Sequence, residues 1–153
     1  MSDSNTPVSR RETDASKWVD YGDLDDFTRG YMHAIVWTET PGEKCTLGEV
    51  FDDSQASVAW DTLCDVDKAD IRAVCVHFMT RSHLPLAGYP ALQAGLDFWL
   101  TRNRHGMGFS DYDFSTPEVC DVLHALAKGY GEASARITEE GNWLYFDRWG
   151  YGA

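Results

Sequence analysis

The chain changes its pattern at Asp97-Phe-Trp-Leu-Thr-Arg-Asn-Arg-His-Gly-Met-Gly-Phe109. Phe98, Trp99 and Thr101 belong to the residue types that favour β-strands, and they lie within four consecutive positions. The next four residues, 103–106, are Asn, Arg, His and Gly, a composition typical of a turn. We therefore predict a β-hairpin whose first strand covers 97–101 and whose turn lies at 103–106.

Toward the N-terminus, the spacing of apolar residues is helical instead. It predicts one helix over 24–38, closed by Pro41-Gly42, and a second over 65–81 that begins with carboxylates in its first turn. A weaker pattern predicts a short helix over 55–63. A single helical turn is expected to begin at Pro90.

Toward the C-terminus, Ser115 and Glu118 have the spacing of a capping box and predict a helix from Pro117 that ends at Gly129 and Gly131. Two strands, over 133–138 and 142–146, are expected around a turn at 139–141. The fold class predicted is α+β, with an antiparallel sheet of three to four strands packed against helices. We expect a disordered arm over 1–20 and a single domain over 21–153.

The charge of the chain is strongly negative and uneven. Its 153 residues carry a net charge of -12. Residues 1–70 hold 16 acidic against 6 basic residues, a balance of -10, and residues 71–153 hold 9 against 7, a balance of -2. Direct nucleic-acid binding is not expected, because it needs clustered cations. The charge favours a partner protein with a basic surface.

The four cysteines, Cys45, Cys64, Cys75 and Cys120, contain no CxxC pair. We interpret them as reduced thiols in a cytoplasm rather than as disulfides or zinc ligands. Residues 1–20 have no apolar core of a signal peptide, and no segment has the roughly 18 apolar residues of a spanning helix. A cytoplasmic protein without membrane contact is expected.

Residues 96–111 resemble a family of small uncharacterised proteins encoded by tailed bacteriophages and related mobile elements. The shared segment is Asp-Phe-Trp-Leu-Thr-Arg-Asn, one residue, His-Gly, one residue, Gly-Phe, and it matches residues 97–109. Arg104 stands where the family usually has Gly, and Ser110 and Tyr112 replace the usual Trp and Arg. The resemblance extends loosely from residue 24 onward and implies a phage protein acting in the host cytoplasm, but it assigns no catalytic residue.

The side chains around this segment that most resemble a chemical site are Asp97, Asn103, His105 and Asp111. Carboxylates and an imidazole could hold a divalent metal or act as acid and base. The alternative is structural: Asp97 caps the preceding turn or pairs with Arg102, and Asn103 supplies a permissive turn conformation. No nucleophile motif or phosphate-binding loop is present, so no cofactor is expected.

The leading functional hypothesis is a non-enzymatic, acidic binding protein that engages a host protein. By imitating the charge of DNA it would occupy a nucleic-acid-binding surface and inhibit a defence system, in the manner of an anti-CRISPR or anti-restriction protein. The alternatives are a metal-dependent hydrolase or nuclease using Asp97, His105 and Asp111, and a virion component. The oligomeric state is left open. The residues assigned to binding are Asp52, Asp53, Asp61, Asp65, Asp67, Asn103 and His105.

Overall fold

The computed structural model describes residues 21–39, 54–105, 108–111 and 114–149. Its helices are α1 Asp26–Glu39, α2 Ser54–Thr62, α3 Asp65–Arg81, α4 His83–Leu86, α5 Ala91–Arg102 and α6 Pro117–Lys128, and its strands are β1 Ala133–Ile137 and β2 Trp143–Asp147. Short 3-10 turns cover Tyr21–Asp23 and Phe109–Asp111. The predicted arm over 1–20 and the side chains of Cys45, Asp52 and Asp53 lie outside the described residues.

The predicted hairpin at residues 97–109 is wrong, because residues 91–102 form the twelve-residue helix α5. Every side chain from Ala94 to Arg102 is buried, so this helix has no polar face to display a helical period. A short apolar run that is buried on all sides cannot be distinguished from a buried strand by its periodicity alone. The single helical turn expected at Pro90 is in fact the start of this central helix.

Helices α1 and α5 cross with their backbones in close contact. A Cβ atom on Gly30 would overlap the carbonyl oxygen of Leu92, and one on Gly95 would overlap the carbonyl oxygen of Phe27. Neither helix backbone could approach the other so closely with a larger residue at these two positions. The α1–α5 pair forms the centre of the core, where Phe98 stacks on Phe78 of α3 at 4.2 Å between ring centroids.

Helices α1, α2, α3 and α6 agree with the sequence, whereas the four-residue α4 was not predicted. The helix predicted over 65–81 has those bounds, and those expected over 24–38 and 55–63 appear as α1 and α2. Helix α6 begins at Pro117 as expected, but its N-cap is Thr116, whose hydroxyl oxygen accepts a hydrogen bond from the Val119 amide at 3.2 Å. The expected cap at Ser115 is therefore displaced by one residue.

The fold is α+β: it is mainly helical, and one antiparallel sheet of two strands is present within the described ranges. Three to four strands were expected, and the difference comes from the segment that forms α5. In the sheet, Ala135 is paired with Tyr145 and Ile137 with Trp143. Trp143 and Tyr145 face the core, and Leu144 and Phe146 face outward. None of the helices in these ranges has the length and apolar character needed to cross a membrane.

Candidate functional site

Arg102 lies at the C-terminal end of α5 and is the most deeply buried charge among the described residues, with 1% of its surface exposed. Its guanidinium donates to both carboxylate oxygens of Asp147 on β2, at 2.9 Å each. It also donates to the Tyr31 hydroxyl at 3.1 Å and to the carbonyl oxygens of Tyr130 and Gly131 at 3.2 and 2.8 Å. All five donors of the guanidinium are thereby used.

The carboxylate of Asp147 is satisfied from its other side as well. The Tyr145 hydroxyl donates to it at 2.8 Å, and so does the backbone amide of Trp149 at 3.0 Å. The hydroxyls of Tyr31 and Tyr145 are 2.8 Å apart and share a further hydrogen bond. A buried charge pair of this kind is tolerated because its remaining hydrogen-bonding groups have partners.

Burial sets the protonation states in this network. It raises the pKa of Tyr31 and Tyr145 well above the usual range of tyrosine, so both hydroxyls stay protonated. Burial alone would lower the pKa of Arg102, but the oxygens of Tyr31, Asp147 and Tyr145 outweigh this effect and raise it. Arg102 is a permanent cation that joins α5 to α1, to β2 and to the turn after α6.

Asp97, one of the residues assigned to the possible metal site, is 3% exposed and faces the core. Its carboxylate accepts hydrogen bonds from the Tyr89 hydroxyl at 2.5 Å and from the Gln93 side-chain amide at 2.8 Å. The expected pairing with Arg102 is wrong, because Arg102 is engaged by Asp147. Asp97 instead holds the loop before α5 against the helix.

Asn103 connects the end of α5 to the sheet. Its side-chain oxygen accepts from the backbone amide of Ala133, the first residue of β1, at 2.9 Å, and its side-chain nitrogen donates to the carbonyl of Trp99 at 3.0 Å. The sequence analysis assigned Asn103 to the possible site and to binding, with a turn residue as the structural alternative. The observed hydrogen bonds show that Asn103 connects α5 to β1.

Thr101 and Gly108 close the turn that follows. The Thr101 hydroxyl oxygen accepts from the Phe109 amide at 3.1 Å. Gly108 has a φ of 107°, and a Cβ atom there would overlap that same hydroxyl. Trp99 donates from its indole nitrogen to the Thr38 hydroxyl of α1 at 2.9 Å. The polar groups of the segment that carries the resemblance are thus used mostly in building the fold.

His105 and Asp111 are the exposed members of the possible metal site. His105 lies beside Glu39, with 3.9 Å between His105 Nε2 and a Glu39 carboxylate oxygen. Within the described ranges, no group of three or more His, Cys, Asp or Glu side chains is arranged to hold a metal ion. The structure therefore does not bring Asp97, His105 and Asp111 together as a ligand set.

The acidic residues assigned to binding occupy different environments. Asp61 is exposed and Asp65 is half-buried. Asp67 is 9% exposed, although a role in binding a partner would require it to be accessible, and its carboxylate accepts from the Tyr145 amide at 3.1 Å. Its position in the first turn of α3 turns it toward β2 rather than toward solvent.

Two hydrogen bonds bring the junction between α2 and α3 against the beginning of β2. One is the Asp67–Tyr145 bond, and the other runs from the Trp143 amide to the Thr62 hydroxyl at 2.8 Å. The turn before Trp143 carries two more exposed carboxylates. We call the resulting surface the acidic end, and it consists of Asp61, Asp65, Glu139 and Glu140.

Comparisons with protein-family models, with curated proteins and with solved structures find no match for this chain. The resemblance to phage proteins therefore stays an expectation from residues 97–109.

Sequence reasoning missed the Arg102–Asp147 pair and the contribution of Glu139 and Glu140. A basic residue at the end of an otherwise apolar run was the available signal for a buried Arg. Nothing in the sequence indicated its partner, which follows 45 residues later. Glu139 and Glu140 join the acidic residues of α2 and α3 only through the packing of the hairpin.

Proposed function

We propose that this protein is a non-enzymatic binding protein whose acidic end engages a basic surface of another protein. The observation that carries the proposal is the placement of Asp61, Asp65, Glu139 and Glu140, which lie far apart in sequence, at one end of the molecule. Surface carboxylates that lie together attract a basic partner more strongly than isolated ones, because their potentials add.

The partner we propose is a host protein that binds nucleic acid, because its basic surface would complement a carboxylate array. The resemblance to phage proteins makes a bacterial defence complex, of the CRISPR or restriction type, the first partner to test. In that role the acidic end would occupy the site that the phosphates of DNA use. This choice of partner rests on analogy with phage proteins.

The experiment is affinity capture from bacterial lysate with identification by mass spectrometry. A partner held by charge should be captured at about 0.1 M salt and released toward 1 M, since the Debye length falls from about 10 Å to about 3 Å. A variant that combines Asp61→Lys, Glu139→Lys and Glu140→Lys should lose the partner. Asp67 is left unchanged because it is buried.

The matched control reverses the same number of exposed carboxylates elsewhere, as Asp111→Lys, Glu118→Lys and Asp121→Lys. It has the same net charge as the test variant and should retain the partner. If both variants lose the partner equally, total charge rather than the acidic end is responsible. If the wild-type protein captures no partner above background at either salt, the proposed function is wrong.

A further inference from the structure

The segment over 71–96 contains no Asp or Glu, although the whole chain holds 25 of them. The C-terminal half of α3 lies in this segment and carries His77 and Arg81, which are both exposed and lie on the same side of the helix. The neighbouring end of β2 adds only the carboxylate of Asp147, which is buried and paired with Arg102. An exposed cation and an imidazole therefore lie together on a part of this acidic protein whose own segments contribute no exposed carboxylate.

The hydroxyl of Tyr130, which follows α6, connects these two side chains. His77 Nδ1 is 2.6 Å from that hydroxyl, and the Arg81 guanidinium lies over the Tyr130 ring at 5.9 Å from its centroid. Burial raises the pKa of Tyr130 although Arg81 acts in the opposite direction, so the hydroxyl keeps its proton. The hydroxyl can then donate to Nδ1 of a neutral imidazole, which leaves the ring proton on Nε2. The Nε2–H of His77 is directed away from Tyr130.

Trp149 completes this surface. Its ring centroid lies 4.9 Å from that of His77 and 5.7 Å from that of Tyr130, and its backbone amide is held by Asp147. The side chain is half-buried, so part of the indole ring remains in contact with solvent. In the part of the chain that the structure describes, the indole N–H, the Nε2–H of His77 and the Arg81 guanidinium have no carboxylate partner. We call the surface formed by His77, Arg81, Tyr130 and Trp149 the aromatic site.

The chemistry of the aromatic site suits an anion that carries a planar ring. A guanidinium binds phosphate through paired N–H groups, and an imidazole N–H adds a further donor. An exposed aromatic ring stacks on a nucleobase whatever its identity. The end of α3 carries about half a negative charge, which is smaller than the full positive charge of Arg81. A nucleotide supplies the phosphate and the planar base within one small molecule.

The charge of the whole protein favours a single nucleotide over a nucleic-acid strand. Helix α3 has 17 residues, so Asp65 in the acidic end and Arg81 in the aromatic site are separated by about 25 Å. A strand carries one phosphate for each nucleotide and would bring further negative charges toward a chain with a net charge of -12. A mononucleotide avoids this repulsion.

We propose that the aromatic site binds a free mononucleotide, with the phosphate on Arg81 and the Nε2–H of His77 and the base against Trp149. Tyr130 is a positioning residue, because its hydroxyl fixes the ring of His77 with Nε2–H outward. The aromatic site and the acidic end lie at opposite ends of α3 and share no residue. The nucleotide site therefore goes beyond the proposed function and does not depend on it.

The probe is adenosine monophosphate, and the measurement is an NMR titration of the isotope-labelled full chain. The side-chain nitrogen signals of His77, Arg81 and Trp149 should shift together and reach saturation. Adenosine, which lacks the phosphate, and inorganic phosphate, which lacks the base, are the two matched probes. Each should bind at least about tenfold more weakly than adenosine monophosphate, because each loses either the charged hydrogen bonds or the stacking.

Two variants with the same change of net charge locate the site. Arg81→Gln removes the exposed cation and should weaken binding of the probe by about tenfold or more. Arg136→Gln is the matched control, because Arg136 is an exposed arginine on β1, and it should bind the probe like the wild type. Trp149→Leu removes the stacking surface and should weaken binding as well. Unfolding midpoints in urea show that each variant is folded, and Arg81→Gln is sufficient for the test if Trp149→Leu is not.

Several results would overturn the proposal. One is the absence of a saturable shift at about 10 mM adenosine monophosphate, a concentration that would fill most of a site with a millimolar Kd. Another is inorganic phosphate or adenosine binding as tightly as the nucleotide. Equal weakening by Arg81→Gln and Arg136→Gln would mean that total charge and not the aromatic site is responsible. A short single-stranded oligoadenylate that binds more tightly than the monophosphate would identify a nucleic acid as the source of the nucleotide and also overturn the proposal.

Discussion

Replacing Arg102 by Met should destabilise the protein by about 4–6 kcal/mol. Removal of one partner from a buried ion pair typically costs about 3–5 kcal/mol, because the remaining charge is left uncompensated. The substitution leaves Asp147 with only its bonds from Tyr145 and Trp149. The carbonyl oxygens that Arg102 serves also lose their donor, at about 1–3 kcal/mol for each group left unsatisfied. Met retains most of the packing volume, which limits any additional cavity cost.

The assay is urea unfolding followed by the fluorescence of the six tryptophans. With a slope of about 2 kcal/mol/M, a loss of 4 kcal/mol lowers the unfolding midpoint by about 2 M. Arg104→Met is the matched control, because the contact of Arg104 with Glu132 at 3.6 Å is exposed, and its loss should cost less than about 1 kcal/mol.

A double-mutant cycle completes the test. The double variant Arg102→Met with Asp147→Leu should be destabilised by less than the sum of the two single changes, by about 2 kcal/mol or more, because removing both charges leaves neither unpaired. The reasoning is refuted if Arg102→Met costs no more than Arg104→Met, or if the two single changes are additive.

Three further changes test other parts of the fold. Burial raises the pKa of Tyr31 and Tyr145, so the native state keeps protons that the unfolded state loses. The free energy of unfolding should therefore fall above about pH 10 by about 1.4 kcal/mol per pH unit for each tyrosine. Unfolding midpoints in urea between pH 8 and 11 measure this decrease, and a flat profile contradicts it. Gly95→Ala should destabilise by about 1–3 kcal/mol despite the better helix propensity of Ala, because α1 must move away, and an unchanged midpoint in urea would show that the helices are not in close contact. Asn103→Ala should lower the free energy of unfolding by about 1–3 kcal/mol, because it leaves the first amide of β1 unbonded. His105→Ala should change the free energy of unfolding by no more than about 0.5 kcal/mol. Thermal unfolding compares the two variants, and a larger loss for His105→Ala would contradict the structural role of Asn103.

The elements with one polar face were predictable from the sequence. Helix α3 alternates buried residues such as Ile71 and Phe78 with exposed ones, so its period and its bounds could be read directly. Helix α5 was not predictable, because its residues from Ala94 onward are buried on every side. A pattern of burial is visible in a sequence only when some positions remain in contact with water.

The candidate site was predicted less well than the fold, for a related reason. The side chains of Asp97 and Asn103 have the chemistry of a functional site, but that chemistry is used inside the molecule, by Tyr89, Gln93 and the first amide of β1. Residue type indicates what a side chain can do and not which partner it meets. The acidic end depends on contacts over 78 and 81 residues of sequence, which no local pattern contains.

The distance along the chain between Arg102 and Asp147 has a consequence for how the protein is made. Forty-five residues separate the cation from its carboxylate. At about 5–20 residues per second, a ribosome needs about 2–9 s to add them. Until Asp147 is added, the guanidinium of Arg102 lacks its counter-ion. We therefore expect the core around α1 and α5 to close only after β2 has been synthesised, because burying Arg102 without Asp147 would leave an uncompensated charge.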